Sequence, residues 1–151
     1  MSGRVTVRPC RIGDLDRVVA IENESFTDPY PWAEFAAHIL SRRSGFVVAC
    51  IDGEVAGYVL AAREASGEGW IKSIAVIPRF RRSGVGAALV EAAMGSLAGC
   101  DRVRLLVRRS NEAAMALYRK FSFGETGVVI ERYYPDGEDA VEFERTPTGT
   151  R

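Results

Sequence analysis

The chain has 151 residues, with 20 Lys plus Arg balanced by 20 Asp plus Glu, so its formal net charge is zero. Hydrophobic residues make up 47% and charged residues 26%, the composition of an ordinary soluble globular domain. The lack of net positive charge argues against a general nucleic-acid or membrane-surface binder.

Taken in chain order, Val5–Arg8 alternates like a first strand and is halted by Pro9. Ile12, Leu15, Val18, Val19 and Ile21 recur at helical spacing, which predicts a first helix ending near Ser25. Pro29 and Pro31 exclude regular helix from Ser25–Pro31, and Pro31 suits the start of a second helix, Trp32 to about Arg42. Phe35, Ala36, Ile39 and Leu40 are its expected apolar face.

Three antiparallel strands follow, at Phe46–Ile51, Val55–Ala62 and Trp70–Ile77, joined by an Asp52-Gly53 hairpin turn and a glycine-rich turn over Glu64–Gly69. A helix over Ala87–Ala98 leads to a buried-looking strand, Arg102–Val107. That order suits a βαβ crossover with parallel neighbours. A helix over Asn111–Lys120 should turn Ala114, Leu117 and Phe121 inward, and a last hairpin should pair Thr126–Tyr134 with Glu138–Glu144. One domain over residues 1–145 and a disordered tail from 146 to 151 are expected. Cys10, Cys50 and Cys100 are scattered without metal-ligand spacing, which fits reduced thiols in a cytoplasmic protein and no metal site. No signal-peptide pattern is present, and no apolar run is long enough to cross a bilayer.

The segment Ile74–Glu91 organises the rest. A strand, a basic loop and RRSGVG (Arg81–Gly86) open directly into a helix. Free N–H groups and the helix dipole at such a junction make a phosphate seat, with Arg81 and Arg82 adding ionic contacts. The loop matches neither the dinucleotide fingerprint nor the P-loop, and an ordinary helix start with basic neighbours would look the same.

SIAVIPRFRRSGVGAALV together with VRRSNEAAMALYRKFSF resembles the GNAT family of acetyl-CoA-dependent N-acetyltransferases, over nearly the whole chain. VRRSN (Val107–Asn111), Ala116–Tyr118, RYYPDGEDA (Arg132–Ala140) and the DPYPW loop (Asp28–Trp32) are similar to the protein N-terminal acetyltransferases of the RimI and ARD1 types. The resemblance implies a mixed α/β fold, its mostly antiparallel sheet of about seven strands flanked by four helices. It also implies acetyl-CoA as cosubstrate and a protein or peptide N-terminus as acceptor, on a ribosomal protein or a nascent chain.

By the same resemblance, the pyrophosphate of CoA would lie on Arg81, Arg82, Ser83, Gly84, Val85, Gly86 and Ala87. The pantetheine arm would pair with Ile74, Ala75 and Val76, and a backbone N–H near Val76 would polarise the acetyl carbonyl. Asn111 matches the residue that contacts the cofactor arm, and it also suits a helix N-cap. Tyr118 matches the tyrosine beside the sulfur. A phenol, with a reference pKa near ~10, can donate to a leaving thiolate. RimI-type enzymes carry a glutamate where this chain has Leu106, so Asp28 is the first candidate for the base, with Glu24 and the phenols of Tyr133 and Tyr134 behind it. Phe26, Tyr30 and Trp32, with Glu24, Tyr133 and Tyr134, would bind the acceptor. His38, the one histidine, lacks an orienting partner in the sequence, and Ser122 stands where relatives commonly have glycine.

At pH 7 roughly a tenth or more of a peptide α-amine is neutral, against about 0.04% of a lysine amine, which favours an α-amine acceptor for an enzyme without a strong base. A GNAT acting on a small amine (polyamine, amino acid or aminoglycoside) and a CoA-binding module without turnover are the alternatives. Monomer and homodimer both remain open.

Overall fold

The computed structural model describes residues 3–146, so the expected tail falls outside the described residues apart from Thr146. Seven strands form one sheet: β1 (Val5–Pro9), β2 (Ser44–Ile51), β3 (Glu54–Arg63), β4 (Gly69–Val76), β5 (Val103–Arg108), β6 (Gly124–Ile130) and β7 (Ala140–Arg145). Four α-helices flank it: α1 (Leu15–Ser25), α2 (Trp32–Leu40), α3 (Val85–Ser96) and α4 (Glu112–Lys120). The strand order is β1-β2-β3-β4-β5-β7-β6. Only β4 and β5 run parallel.

Each face of the sheet buries its own core, as strand alternation requires. Val59, Ala61, Ile71, Leu105, Val107 and Phe143 pack with Val85, Leu89 and Ala93 of α3 and Met115 and Tyr118 of α4. On the other face Val48, Tyr58, Leu60 and Ala75 pack with Leu15, Val18 and Ile21 of α1 and Phe35 of α2.

Several boundaries differ from those expected. The first helix begins with a 3-10 turn at Ile12–Asp14, because the Asp14 carboxylate accepts the Arg11 N–H (2.8 Å) and binds Arg8 (2.7 Å). Helix α2 stops at Leu40, which is 83% exposed and not on the inward face. Leu40 lies five residues past the buried Phe35, and five steps of 100° carry it well around the helix. In α4 the inward residues are Met115 and Tyr118, while Ala114, Leu117 and Phe121 form a half-buried rim. The inward stripe is therefore one residue later than expected. Asp52 and Gly53 both take left-handed φ (52° and 80°), the conformation a two-residue primed turn demands. Ser122 takes φ 70° just beyond α4, the usual place for a glycine cap, and lets the chain turn into β6.

The parallel pair shapes the site. β4 and β5 are paired only at Gly69↔Val103 and Trp70↔Arg104. Beyond that point β4 stays paired with β3 and β5 with β7, so the two halves of the sheet part. The gap opens at the C-terminal ends of two parallel strands, where α/β folds bind ligands. β4 leads to the N-terminus of α3 and β5 to that of α4, so both helix mouths flank the gap.

Candidate active site

One wall of the gap is the free edge of β4. Ile77 N–H donates to Ala56 O on β3 (2.9 Å), so the preceding residue, Val76, turns its N–H and C=O the other way. Its carbonyl accepts the Arg81 Nε–H at 3.2 Å. The Val76 N–H therefore stands on the side of the gap. Ile74, two residues back, shares that orientation, while Ala75 is buried toward α1 and α2. A bulge at Lys72, where Leu60↔Ser73 is followed by Ala61↔Ile71, re-aims the strand just before this stretch.

The mouth of α3 closes one end. Arg82 (φ 65°) and Gly84 (φ 85°) are left-handed around Ser83, an alternation that curls successive N–H groups toward one side. The first regular helical bond is Ala88 N–H to Gly84 O (3.0 Å), so the N–H groups of Val85, Gly86 and Ala87 lack intrahelical acceptors. Gly86 has a packing reason as well: a Cβ there would lie 3.2 Å from Leu117 Cδ2, so it lets α3 and α4 approach closely. Asn111 caps α4, its Oδ1 accepting the Ala114 N–H at 3.1 Å, which leaves its NH₂ group for a ligand.

Tyr118 projects from α4 into the apolar core between Phe123 (6.0 Å) and Phe143 (6.4 Å between ring centroids) and is 5% exposed. Among the described residues its hydroxyl has no hydrogen-bond partner. Burial pushes its pKa upward, and the nearby Tyr134 adds to the shift. The phenol stays protonated well into alkaline solution.

Two loops form the opposite side. The α1–α2 loop carries Phe26 and Tyr30, both packed against the α1/α2 core, and exposed Asp28; Trp32 (45% exposed) follows as the first residue of α2. The β6–β7 loop carries Tyr133 (51% exposed) and Tyr134, edge to face at 5.0 Å. Burial pushes the Tyr134 phenol up to about 12, with Tyr133 and Tyr30 among the charges that add to it. Arg108, at the end of β5, joins the loops. It bonds Thr27 Oγ1 (2.8 Å), Asp136 (2.9 Å) and Glu138 (2.9 Å), and its guanidinium lies 4.1 Å over the Tyr134 ring.

Glu24 is exposed, on the side of α1 away from the sheet, whereas Glu22, two residues earlier, is buried. His38 lies outside the gap, its Nδ1 2.7 Å from Ser44 Oγ; burial lowers its pKa and Lys72 lowers it further, so it is neutral at pH 7. Two carboxylates escaped the sequence reading. Glu22 is one. The other is Glu142, which the β5–β7 register sets directly beside Leu106, on the face of Arg104 and Arg108. Its Oε1 accepts the Thr126 hydroxyl at 2.9 Å. Alternation along β7 could have marked its face, but its neighbour on β5 depends on a register that residue types alone leave open. Among the described residues no cluster of His, Cys, Asp or Glu could hold a metal ion, and no helix is long and apolar enough to cross a membrane.

Comparison with known proteins adds an independent line. Residues 15–123 match the model of the acetyltransferase (GNAT) family. The chain is 35% identical over 148 residues to an N-alpha-acetyltransferase of Sulfurisphaera tokodaii, covering 89% of this chain and 88% of that one. It is 33% identical to a putative ribosomal-protein-alanine N-acetyltransferase of Bacillus subtilis, covering 93% and 95% of the two chains. Among solved structures it is similar to Ard1 from Thermoplasma volcanium, with a TM-score of 0.86, 30% identity, and 94% and 97% of the two chains covered.

Proposed function

The chain belongs to the acetyltransferase (GNAT) family, and from that footing we propose that it transfers an acetyl group from acetyl-CoA to the α-amino group of protein N-termini. The observation that carries the reading is the gap between β4 and β5. It is flanked by the free α3 mouth and the buried Tyr118, and faced by two aromatic loops bridged through Arg108. Sequence relatives named for N-terminal acetylation support the choice of acceptor.

The residues present fit acetyl-CoA. The N–H groups of Arg82–Ala87, with the Arg82 guanidinium, suit its pyrophosphate, and the free edge at Ile74–Val76 suits its amide-bearing arm. Bound there, it supplies an acetyl group already activated as a thioester. The Val76 N–H takes the developing negative charge on the carbonyl oxygen. Asp28, through water, accepts the proton that the α-amine loses as its nitrogen bonds to the acetyl carbon. Tyr118 would stand beside the sulfur as the carbon–sulfur bond breaks. Because its phenol is a weaker acid than usual, its part is a hydrogen bond to the leaving sulfur, and the thiolate takes its proton from solvent water as it departs. Tyr30, Tyr133, Tyr134, Phe26 and Trp32 line the path of the peptide.

A library of peptides with free N-termini and blocked lysines tests the function directly. The expected result is N-terminal acetylation that rises with pH through the α-amine pKa of about 7.7–8.0 and levels off at about pH 9. Acetylation confined to lysine side chains or to small amines overturns the reading.

The cofactor half is tested by Gly84→Val. A branched side chain at φ 85° costs about 1–2 kcal/mol, which lowers Tm by about 3–6 °C in a chain of this size. The loop must also reshape, displacing the N–H groups, so the KM for acetyl-CoA should rise about tenfold or more with a smaller change in kcat. An unchanged KM would detach this loop from the cofactor.

A further inference from the structure

Glu22 is the buried carboxyl group that the reaction scheme does not use. It is 2% exposed, in the last turn of α1, where the helix dipole disfavours negative charge. Three donors converge on it. Ser73 Oγ–H reaches Oε1 at 2.9 Å, the Tyr58 hydroxyl donates to the same oxygen, and the Tyr30 N–H donates to Oε2 at 3.0 Å. Both of its oxygens are thus engaged, Oε1 by two hydroxyls and Oε2 by a backbone N–H. A polar group held in an apolar core is costly unless hydrogen-bonded, and both oxygens of this one are. An apolar residue would fill the same space with less cost, so what the carboxylate adds is the link between its partners.

Those partners belong to three separate elements. Tyr58 is on β3, and Ser73 follows the β4 bulge, three residues before Val76. Tyr30 lies between two prolines in the α1–α2 loop. The segment Thr27–Tyr30 is thus tied at both ends, Thr27 by Arg108 and Tyr30 by Glu22, with Asp28 between the ties. We infer that Glu22 is a positioning residue for acceptor binding: its carboxylate fixes the Thr27–Tyr30 segment against β4 and so sets where Asp28 and Tyr30 stand relative to the Val76 edge. The inference rests on reading this loop as the acceptor wall.

Glu22→Gln tests it. The amide cannot accept all three donors and brings an NH₂ group with nothing to receive it. The KM for an N-terminal peptide should rise about tenfold while the KM for acetyl-CoA stays within about twofold, and the Tyr30 amide should exchange with solvent about tenfold faster. Tyr58→Phe is the control, since it removes one donor from Glu22 and leaves the Tyr30 bond. Its peptide KM should stay near that of the parent even where Tm falls. An unchanged peptide KM in Glu22→Gln with a protected Tyr30 amide overturns the inference, and so does an equal rise of peptide KM in Tyr58→Phe. If Glu22→Gln does not fold, the parent decides: its Tyr30 amide should exchange more slowly than those of Thr27 and Asp28, and equal rates overturn the inference. Amide exchange is read without turnover. A parent that acetylates no N-terminal peptide therefore overturns the proposed function while the Tyr30 amide still judges the anchor.

Discussion

Tyr118→Phe should lower kcat for peptide acetylation by about 10²–10³-fold and leave the KM for acetyl-CoA within about twofold. The ring sits between Phe123 and Phe143 and is retained in the variant. The hydroxyl has no partner among the described residues, so its removal leaves no buried group unsatisfied and Tm should move by no more than a few degrees. A large loss of rate in a protein of nearly unchanged stability is the signature of a group that acts on the reacting atoms. The upward pKa shift gives a second reading. Since burial keeps the phenol protonated, the parent enzyme should show no descending alkaline limb below about pH 10. A variant with parental kcat would remove Tyr118 from the reaction.

Asp28→Asn should lower kcat/KM by about 10²-fold, the low end for general acid–base catalysis, because the proton passes through water. Asp28 is exposed and has no ion-pair partner among the described residues, so the substitution should leave stability within about 0.5 kcal/mol. Glu142→Gln is the comparison to make. Glu142 is the carboxylate that strand register sets beside Leu106, and Thr126 holds it on β7. A full rate in Asp28→Asn with a large loss in Glu142→Gln would move the base from the loop to the sheet. Loss in Asp28→Asn alone keeps it on the loop.

Much of the fold could be read from residue types. Alternation marked the first strand, helical spacing the first helix, and turn and proline signals the rest, Asp52-Gly53 giving the first hairpin its left-handed turn; the strand expected over Thr126–Tyr134 lies at Gly124–Ile130. Helix faces were less legible. In α4 the expected inward set was the rim, because spacing gives a stripe but not which edge of it meets the sheet; Tyr118 between Phe123 and Phe143 decides that. Leu40 was expected inward because it is apolar, yet α2 is anchored by Phe35 and turns Leu40 out.

For the site, the sequence by itself determined the local backbone features: a strand, two glycines and a helix mouth at Arg81–Ala87, and an asparagine cap ahead of Tyr118. Such features depend on neighbours along the chain, so residue order suffices to find them. Only the tertiary structure decided which distant groups meet. The parting of β4 from β5 after two residue pairs, Arg108 across both loops, Glu142 beside Leu106 and Glu22 beneath Tyr30 all join segments far apart in sequence. A buried carboxyl group among apolar residues looks in sequence like one more polar position on a helix. Its meaning comes from the donors that folding brings to it, because a polar group is kept in a core only where its partners are already in place.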